Sequence, residues 1–319
     1  MIEIAQRIRE AKRVWLACHV RPDADTLGSL LALAEGIEAV GPRVLALSPD
    51  GVPETYRFLP GWERITAEPT GACDVAIGLD ADGSPRLGPL EAAMLAAPCV
   101  VDLDHHPGPA PYGHLHHVDP TAAATGELVF ALLRTLETPL TPTIARNLMA
   151  ALVTDTGSFH FRNTTARTLA IARELMEAGA HPSESYEQVY GTRPAGALRL
   201  LGRILADFQL SADGRVVWAC VPHAEMRELQ VREEQTEGFI NELRSVDGSQ
   251  VAILFREQAD GEVRISLRSR GEVDVAAVAA QFNGGGHKAA SGCSLPGPLP
   301  KAIAAVTAAA EQAVRRETS

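Results

Sequence analysis

Short apolar runs alternate with helical patterns through the first half of the chain, and this alternation most restricts what it can fold into. The runs are VWLAC at 14–18, VLAL at 44–47, DVAIGL at 74–79 and CVVDL at 99–103. Between them lie TLGSLLALAEGIEAV, with apolar residues at helical spacing, and a helix near 89–97. Strand-length runs separated by helices predict an α/β domain, a parallel sheet wrapped by helices, because parallel strands need crossover connections. Further helices are expected near 125–137, 142–153 and 165–178, the last ending at Gly179.

At 319 residues the chain exceeds the size at which one hydrophobic core usually stops growing, so two domains are expected. The first is placed at 1–188, and a linker helix at 189–208 contains GTRPAGALRLLGRILADF. A smaller C-terminal α/β domain follows at 209–319, opening with RVVWACV at 215–221 and helices around 223–245. VAILFRE at 251–257 and EVRISLRS at 262–269, separated by Ala259-Asp260-Gly261, read as a hairpin. A helix at 274–282, the glycine run 284–286 and an alanine-rich helix from about 300 complete it.

The net charge of −11 argues against broad electrostatic binding of long nucleic acid, which needs a basic surface. Any such contact should be local. The five cysteines form no CxxC pair and sit mostly in apolar runs, so they read as small buried hydrophobes. The N-terminus has an amphipathic helical pattern without a signal-peptide core, and no apolar stretch is long enough to span a membrane. A cytoplasmic protein is expected. The only lysines are Lys12, Lys288 and Lys301, and the lack of a Gly-Lys pair excludes a Walker A phosphate loop.

Acidic and imidazole residues follow the apolar runs at three places: His19 to Asp25 in HVRPDAD, Asp80, and Asp104-His105-His106. Loops at the carboxyl ends of parallel strands converge on one crevice. Asp155, in TDTGSF just past the apolar helix PTIARNLMAALV, adds a further carboxylate. Gathering like charges in a partly dehydrated crevice raises their pKa values and opposes folding, and bound cations remove that cost. Mixed carboxylate and imidazole ligation suits manganese better than magnesium, and bridging carboxylates allow two ions about 3.5–4 Å apart, as in-line phosphoryl chemistry uses. Taken singly the residues have plainer readings: Asp25 as the cap of a helix opening at Thr26, Asp80 as a strand end, Asp155 in an Asx turn with Gly157. Their joint placement after successive elements is what argues against coincidence.

HVRPDADTLGS, the Asp80 strand end, DHH at 104–106 and TDTGSF resemble the four motifs of DHH phosphoesterases. RISLRS and GGGHKAASG resemble the domain that accompanies them in the RecJ-like and nanoRNase/pAp phosphatase branch, and the short length favours the latter. The resemblance spans nearly the whole chain. It implies that His19 and Asp23 bind one metal, Asp25, His105 and Asp155 bind the other, and Asp80 bridges both. It further implies that His106 faces the phosphate and that Asp104 orients the neighbouring imidazoles. Two departures stand out: Ala24 where glycine is frequent, and Asp82-Gly83 in an unusual local pattern. Arg86, Leu87 and Gly88 keep the family spacing, so Asp80 rather than Asp82 is taken as the ligand.

His114, His116 and His117 lie in a Gly/Pro-flanked loop and are read as surface residues, not ligands. In the second domain, Arg268, Gly284, Gly285, Gly286 and His287 are assigned by the resemblance to holding the substrate's terminal nucleotide or phosphate, glycines letting backbone N–H groups approach an anion. The expected partners are short single-stranded oligonucleotides or small nucleotides, with manganese or magnesium as cofactor and a homodimer allowed for. The rival readings are a family II inorganic pyrophosphatase, a cyclic or linear dinucleotide phosphodiesterase, and a nucleotide sensor without activity.

Overall fold

The computed structural model describes residues 1–108 and 111–317. They form two compact units, Met1–Thr192 and Arg193–Ser319. The first runs α1 (Ile2–Glu10), β1 (Arg13–Ala17), α2 (Ala24–Ala39), β2 (Arg43–Leu47), β3 (Val75–Leu79), α3 (Glu91–Leu95), β4 (Cys99–Asp104) and β5 (Leu115–Val118). Helices α4 (Thr125–Thr135), α5 (Pro142–Asp155), α6 (Ala166–Glu177) and α7 (Pro182–Tyr186) complete it. All five strands are parallel, in the order β2-β1-β3-β4-β5. The chain winds from β1 out to β2 and then returns to lay β3 on the other side of β1. Ligands of such sheets bind outside the carboxyl ends of the strands at this reversal.

Period-two alternation explains the two layers packed on the sheet. In β1, Val14 and Leu16 enter the large core built with α1, α2, α4, α5 and α6, whereas Trp15 and Ala17 enter a smaller core with Leu87, Leu90 and Met94. In β4, Val101 and Leu103 join the large core and Val100 the small one, but the small-core side then continues with buried Asp102 and Asp104. Carboxylates at such positions are costly unless they have partners. They stand at the end of the strand that leads into His105.

Strand β5 corrects the loop expected around His114–His117. Leu115-His116-His117-Val118 shows no apolar run, yet it pairs with β4 along the sheet edge, where only one side of the strand needs a partner. The edge position tolerates its polar residues.

The second unit contains α8 (Ala195–Ala206), β6 (Gln209–Leu210), β7 (Val216–Val221), α9 (His223–Glu228), α10 (Phe239–Arg244), β8 (Val251–Glu257) and β9 (Glu262–Ser269). It ends with α11 (Val275–Ala280), β10 (Gly285–His287), β11 (Ala290–Pro296) and α12 (Leu299–Glu317). The sheet order is β10-β11-β9-β8-β7-β6, with only β7 and β8 parallel. Along β9, Val263, Ile265 and Leu267 are buried in one core while Arg264, Ser266 and Arg268 occupy the other face. Helix α8 contributes Ala197, Leu200 and Ile204 to the same core as Val217 and Leu254, so it is built into this unit. No helix among the described residues is long and apolar enough to cross a membrane.

Candidate metal centre

His19 and Asp80 follow β1 and β3, the strands that flank the winding reversal. Helix α2 starts at Ala24 because Asp23 caps it, its carboxylate accepting the Thr26 N–H at 3.0 Å. The cap is therefore Asp23, and the plainer reading of Asp25 as that cap is corrected. Asp25 instead reaches the first turn of α4, accepting the N–H of Thr125 at 2.7 Å and of Gly126 at 3.0 Å, together with the Ser29 hydroxyl at 3.1 Å. Helix α4 lacks a capping side chain of its own, its N-cap being Ala124. Asp25 supplies the missing acceptor from a position remote in sequence. Gly28 lets α2 press against α5: a β-carbon there would come within 2.3 Å of the Asn147 carbonyl oxygen. Asp25 on α2 and Asp155, the last residue of α5, are thus held by helices in backbone contact.

Asp80 occupies the middle. Its Oδ2 lies 3.6 Å from His19 Nε2 and its Oδ1 lies 3.4 Å from His105 Nε2, so the two carboxylate oxygens face different imidazoles. Thr125 donates its hydroxyl to Oδ1 at 3.0 Å. His19 Nε2 is also 3.9 Å from Asp23, and His105 Nε2 is 3.2 Å from Asp155 and 3.8 Å from Asp25. In each ring Nδ1 is turned to a backbone carbonyl, Val20 at 2.8 Å for His19 and Ala122 at 3.2 Å for His105. A proton held on Nδ1 by a carbonyl leaves the Nε2 lone pair for a cation.

Asp104 works from behind this group. Its Oδ1 accepts both the backbone N–H of His106 at 2.9 Å and the ring Nδ1–H at 2.8 Å, and its Oδ2 accepts the Asp82 N–H at 2.6 Å. One carboxylate therefore ties the loop after β4 to the loop after β3. Asp82 contributes a backbone donor, while its carboxylate takes no part in the His19 and His105 groupings.

The electrostatics fit a cation centre. Burial pushes Asp25 well above the ordinary carboxylate range, and Asp80 and Asp155 push it further. Burial alone would also raise Asp80, but hydrogen bonds from His105 and His19 hold it well below. Burial would lower His105, yet Asp155 and Asp80 overcome that and raise it well above the usual imidazole range. The carboxylates thus favour positive charge at His105 Nε2, and a divalent cation there satisfies the same field with the imidazole neutral. Ligand atoms of His19, Asp23 and Asp80 lie within 4.8 Å of one another, as do those of Asp25, Asp80 and His105. Oxygen and imidazole donors in this number suit manganese or magnesium and not the thiolate sites of structural zinc.

The histidines of the edge region stay outside the first unit's ligand groupings; His114 Nδ1 accepts the Val100 N–H at 3.0 Å, which makes it part of the sheet edge. Two residues near the centre were missed. Asp102, buried one turn of the pleat before Asp104, was legible in the alternation of CVVDLD, and Arg86, beside His19, was read only as a spacing marker.

In the second unit, His287 pairs with Ala290 and Ala290 pairs with Arg268, so His287 and Arg268 share one cross-strand row with a small residue between them. Directly opposed residues lie on the same face of a sheet. Gly285 and Gly286 belong to strand β10, and Gly284 directly precedes it. A β-carbon at Gly284 would meet the Gly292 carbonyl at 2.2 Å and one at Gly286 the Ala290 carbonyl at 2.6 Å, so both are required by packing on β11. Gly285 alone of the three has open space there.

Residues 13–153 match the DHH family N-terminal domain, and residues 213–316 match the DHHA1 domain. The bifunctional oligoribonuclease and PAP phosphatase NrnA of Thermus thermophilus is 35% identical over 289 residues, covering 89% of this chain and 84% of that protein. The crystal structure of an exopolyphosphatase-related protein from Bacteroides fragilis superposes with a TM-score of 0.89 at 26% identity, covering 97% of this chain and 95% of that one. RecJ of Thermus thermophilus, solved in complex with Mn2+, shares the fold with a TM-score of 0.59 at 16% identity, covering 98% of this chain and 54% of that one. With both domains matched in order and a relative of this identity aligned along most of both chains, the protein belongs to the metal-dependent DHH phosphoesterases, in the nanoRNase branch that joins a DHH to a DHHA1 domain.

Proposed function

We propose that this hydrolase cleaves short single-stranded oligoribonucleotides, and the phosphate ester of 3'-phosphoadenosine 5'-phosphate, to mononucleotides, using two divalent cations of which manganese fits best. The observation that carries the proposal is Asp80, whose two oxygens face His19 on one side and His105 on the other. His19 and Asp23 complete one ligand group, and Asp25, His105 and Asp155 the other. Divalent cations in such a pair supply Lewis acidity toward phosphoryl oxygens and lower the pKa of water.

The chain's own residues do the rest. Burial would lower His106, but the Asp104 hydrogen bond and the Asp80 charge raise it, so its imidazolium is favoured and can donate to a phosphoryl oxygen. Asp104 keeps that ring in place by holding both its Nδ1–H and its backbone N–H. In the second unit, Arg268 and His287, on one face of the sheet, are the groups assigned to the terminal phosphate, with Gly285 open to a close-lying anion. The relatives' name, oligoribonuclease and PAP phosphatase, supports this choice of substrates.

The test is a turnover assay with a diribonucleotide, 3'-phosphoadenosine 5'-phosphate, pyrophosphate and a long single strand. Hydrolysis of the first two with manganese, abolished by EDTA, is expected. Equal rates in chelator would remove the two-cation proposal, and pyrophosphate as the preferred substrate would replace it with a pyrophosphatase.

A further inference from the structure

Arg86 stands in the loop after Asp80 and belongs to neither ligand group. The loop is fastened to the end of β1: Val20 donates its N–H to the Arg86 carbonyl at 2.8 Å, and the Arg86 N–H closes a turn on Gly83 at 3.1 Å. Gly88 has φ 57°, and a β-carbon there would come within 2.5 Å of Val20 Cγ1, so this close approach requires glycine. The sequence Arg-Leu-Gly at 86–88 thereby seats the arginine beside His19.

The guanidinium Nη2 lies 3.1 Å from His19 Nδ1, and the same Nδ1 lies 2.8 Å from the Val20 carbonyl. The two neighbours make opposite demands. A carbonyl needs a proton on Nδ1, whereas a guanidinium, which only donates, needs a lone pair. Cation ligation through Nε2, the nitrogen facing Asp23 and Asp80, puts the proton on Nδ1 and assigns it to Val20. Arg86 is then left with a charged N–H that His19 cannot accept. Among the described residues it forms no ion pair either, although Asp82 is near enough to feel its charge.

Charge balance points the same way. When ionised, Asp23, Asp25, Asp80 and Asp155 carry as much negative charge as a pair of divalent cations carries positive, neutral His19 and His105 imidazoles add nothing, and the His106 imidazolium is offset by Asp104, 2.8 Å from its Nδ1. A loaded centre would have no net charge to offset an anionic phosphate. We propose that Arg86 binds a non-bridging oxygen of the phosphate that is cut and supplies the missing positive charge from the first unit. This rests on the two-cation reading of the site.

The test compares wild type, Arg86→Gln and Arg86→Lys by calorimetry, first with manganese alone and then with inorganic phosphate on the manganese-loaded proteins, alongside diribonucleotide hydrolysis. Manganese affinity is expected to be the same in all three. Arg86→Gln should weaken phosphate binding and lower kcat/KM by about ten- to a hundredfold, as loss of a charged hydrogen bond does. Lysine should restore part of both, being a point charge without the planar fork. Equal phosphate affinity in the three proteins would overturn the proposal. So would a loss of manganese affinity large enough to explain the loss of phosphate, because Arg86 would then be a positioning residue for His19. A wild type that binds manganese and phosphate but cleaves no diester would sink the hydrolytic reading, while the phosphate titration would still decide Arg86.

Discussion

Asp80 and Asp82 both hold left-handed backbone, with φ of 59° and 47°, a conformation that costs a non-glycine residue roughly 1–2 kcal/mol. Spending that energy twice within three residues turns the Asp80 carboxylate between two imidazoles and the Asp82 N–H toward Asp104. Motif spacing selects Asp80 over Asp82, but the reason is visible only in the folded chain, since both follow the same strand. Asp102 shows the opposite kind of cost. Burial, and then the Asp104 charge, push its carboxyl up to about 7, and it is only 2% exposed. Below about pH 4 the acid is neutral in both folded and unfolded chains and costs nothing. Between about 4 and 7 the unfolded chain ionises while the folded one resists, so stability falls as pH rises, and above 7 the loss is complete. Asp102→Asn removes that dependence. Urea denaturation in EDTA should show the variant gaining on wild type from about pH 4 to 7, reaching roughly 2–4 kcal/mol at pH 8. Stability curves that stay parallel across this range would show that Asp102 is not held neutral by the fold.

At the level of elements, the parts that were legible in the sequence are those that carry an apolar run or a hydrophobic period, the edge strand β2 among them. β1, β3 and β4 stand in the sheet interior and read as apolar runs, and the hairpin of β8 and β9 was bounded correctly by its turn residues. β5, β10 and β11 were not legible, because an edge strand of histidines and a glycine-rich pair carry no hydrophobic period. Nor was the capping of α4 by Asp25, which joins residues 100 apart in the chain. The packing of α2 on α5 has a direct test. Gly28→Ala places a β-carbon 2.3 Å from the Asn147 carbonyl oxygen, a backbone atom that can yield only if the helices separate. Overpacking of this kind costs about 1–3 kcal/mol. Because Asp25 and Asp155 ride on these two helices, the variant should melt earlier and also bind manganese more weakly. An unchanged melting temperature with unchanged manganese affinity would refute the claim that this contact sets the ligand spacing.

For the whole molecule, a net charge of −11 is consistent with a centre built from carboxylates and with substrates gripped locally instead of along an extended basic track. The family was legible because its motifs recur in order along nearly the full chain, and the domain matches at 13–153 and 213–316 agree with it. Motif spacing selects Asp80 as the carboxylate that joins the two ligand groups, and on this the proposed chemistry depends. The most direct measurement is manganese stoichiometry by calorimetry, with diribonucleotide hydrolysis on the same samples, for wild type, Asp80→Ala and Asp82→Ala. Wild type should bind two ions per chain, and Asp82→Ala should keep both and turn over at nearly the wild-type rate. Asp80→Ala should lose at least one ion and about three or more orders of magnitude in kcat. Full stoichiometry and near-normal turnover in Asp80→Ala, with loss of both in Asp82→Ala, would show that Asp80 does not bridge the centre.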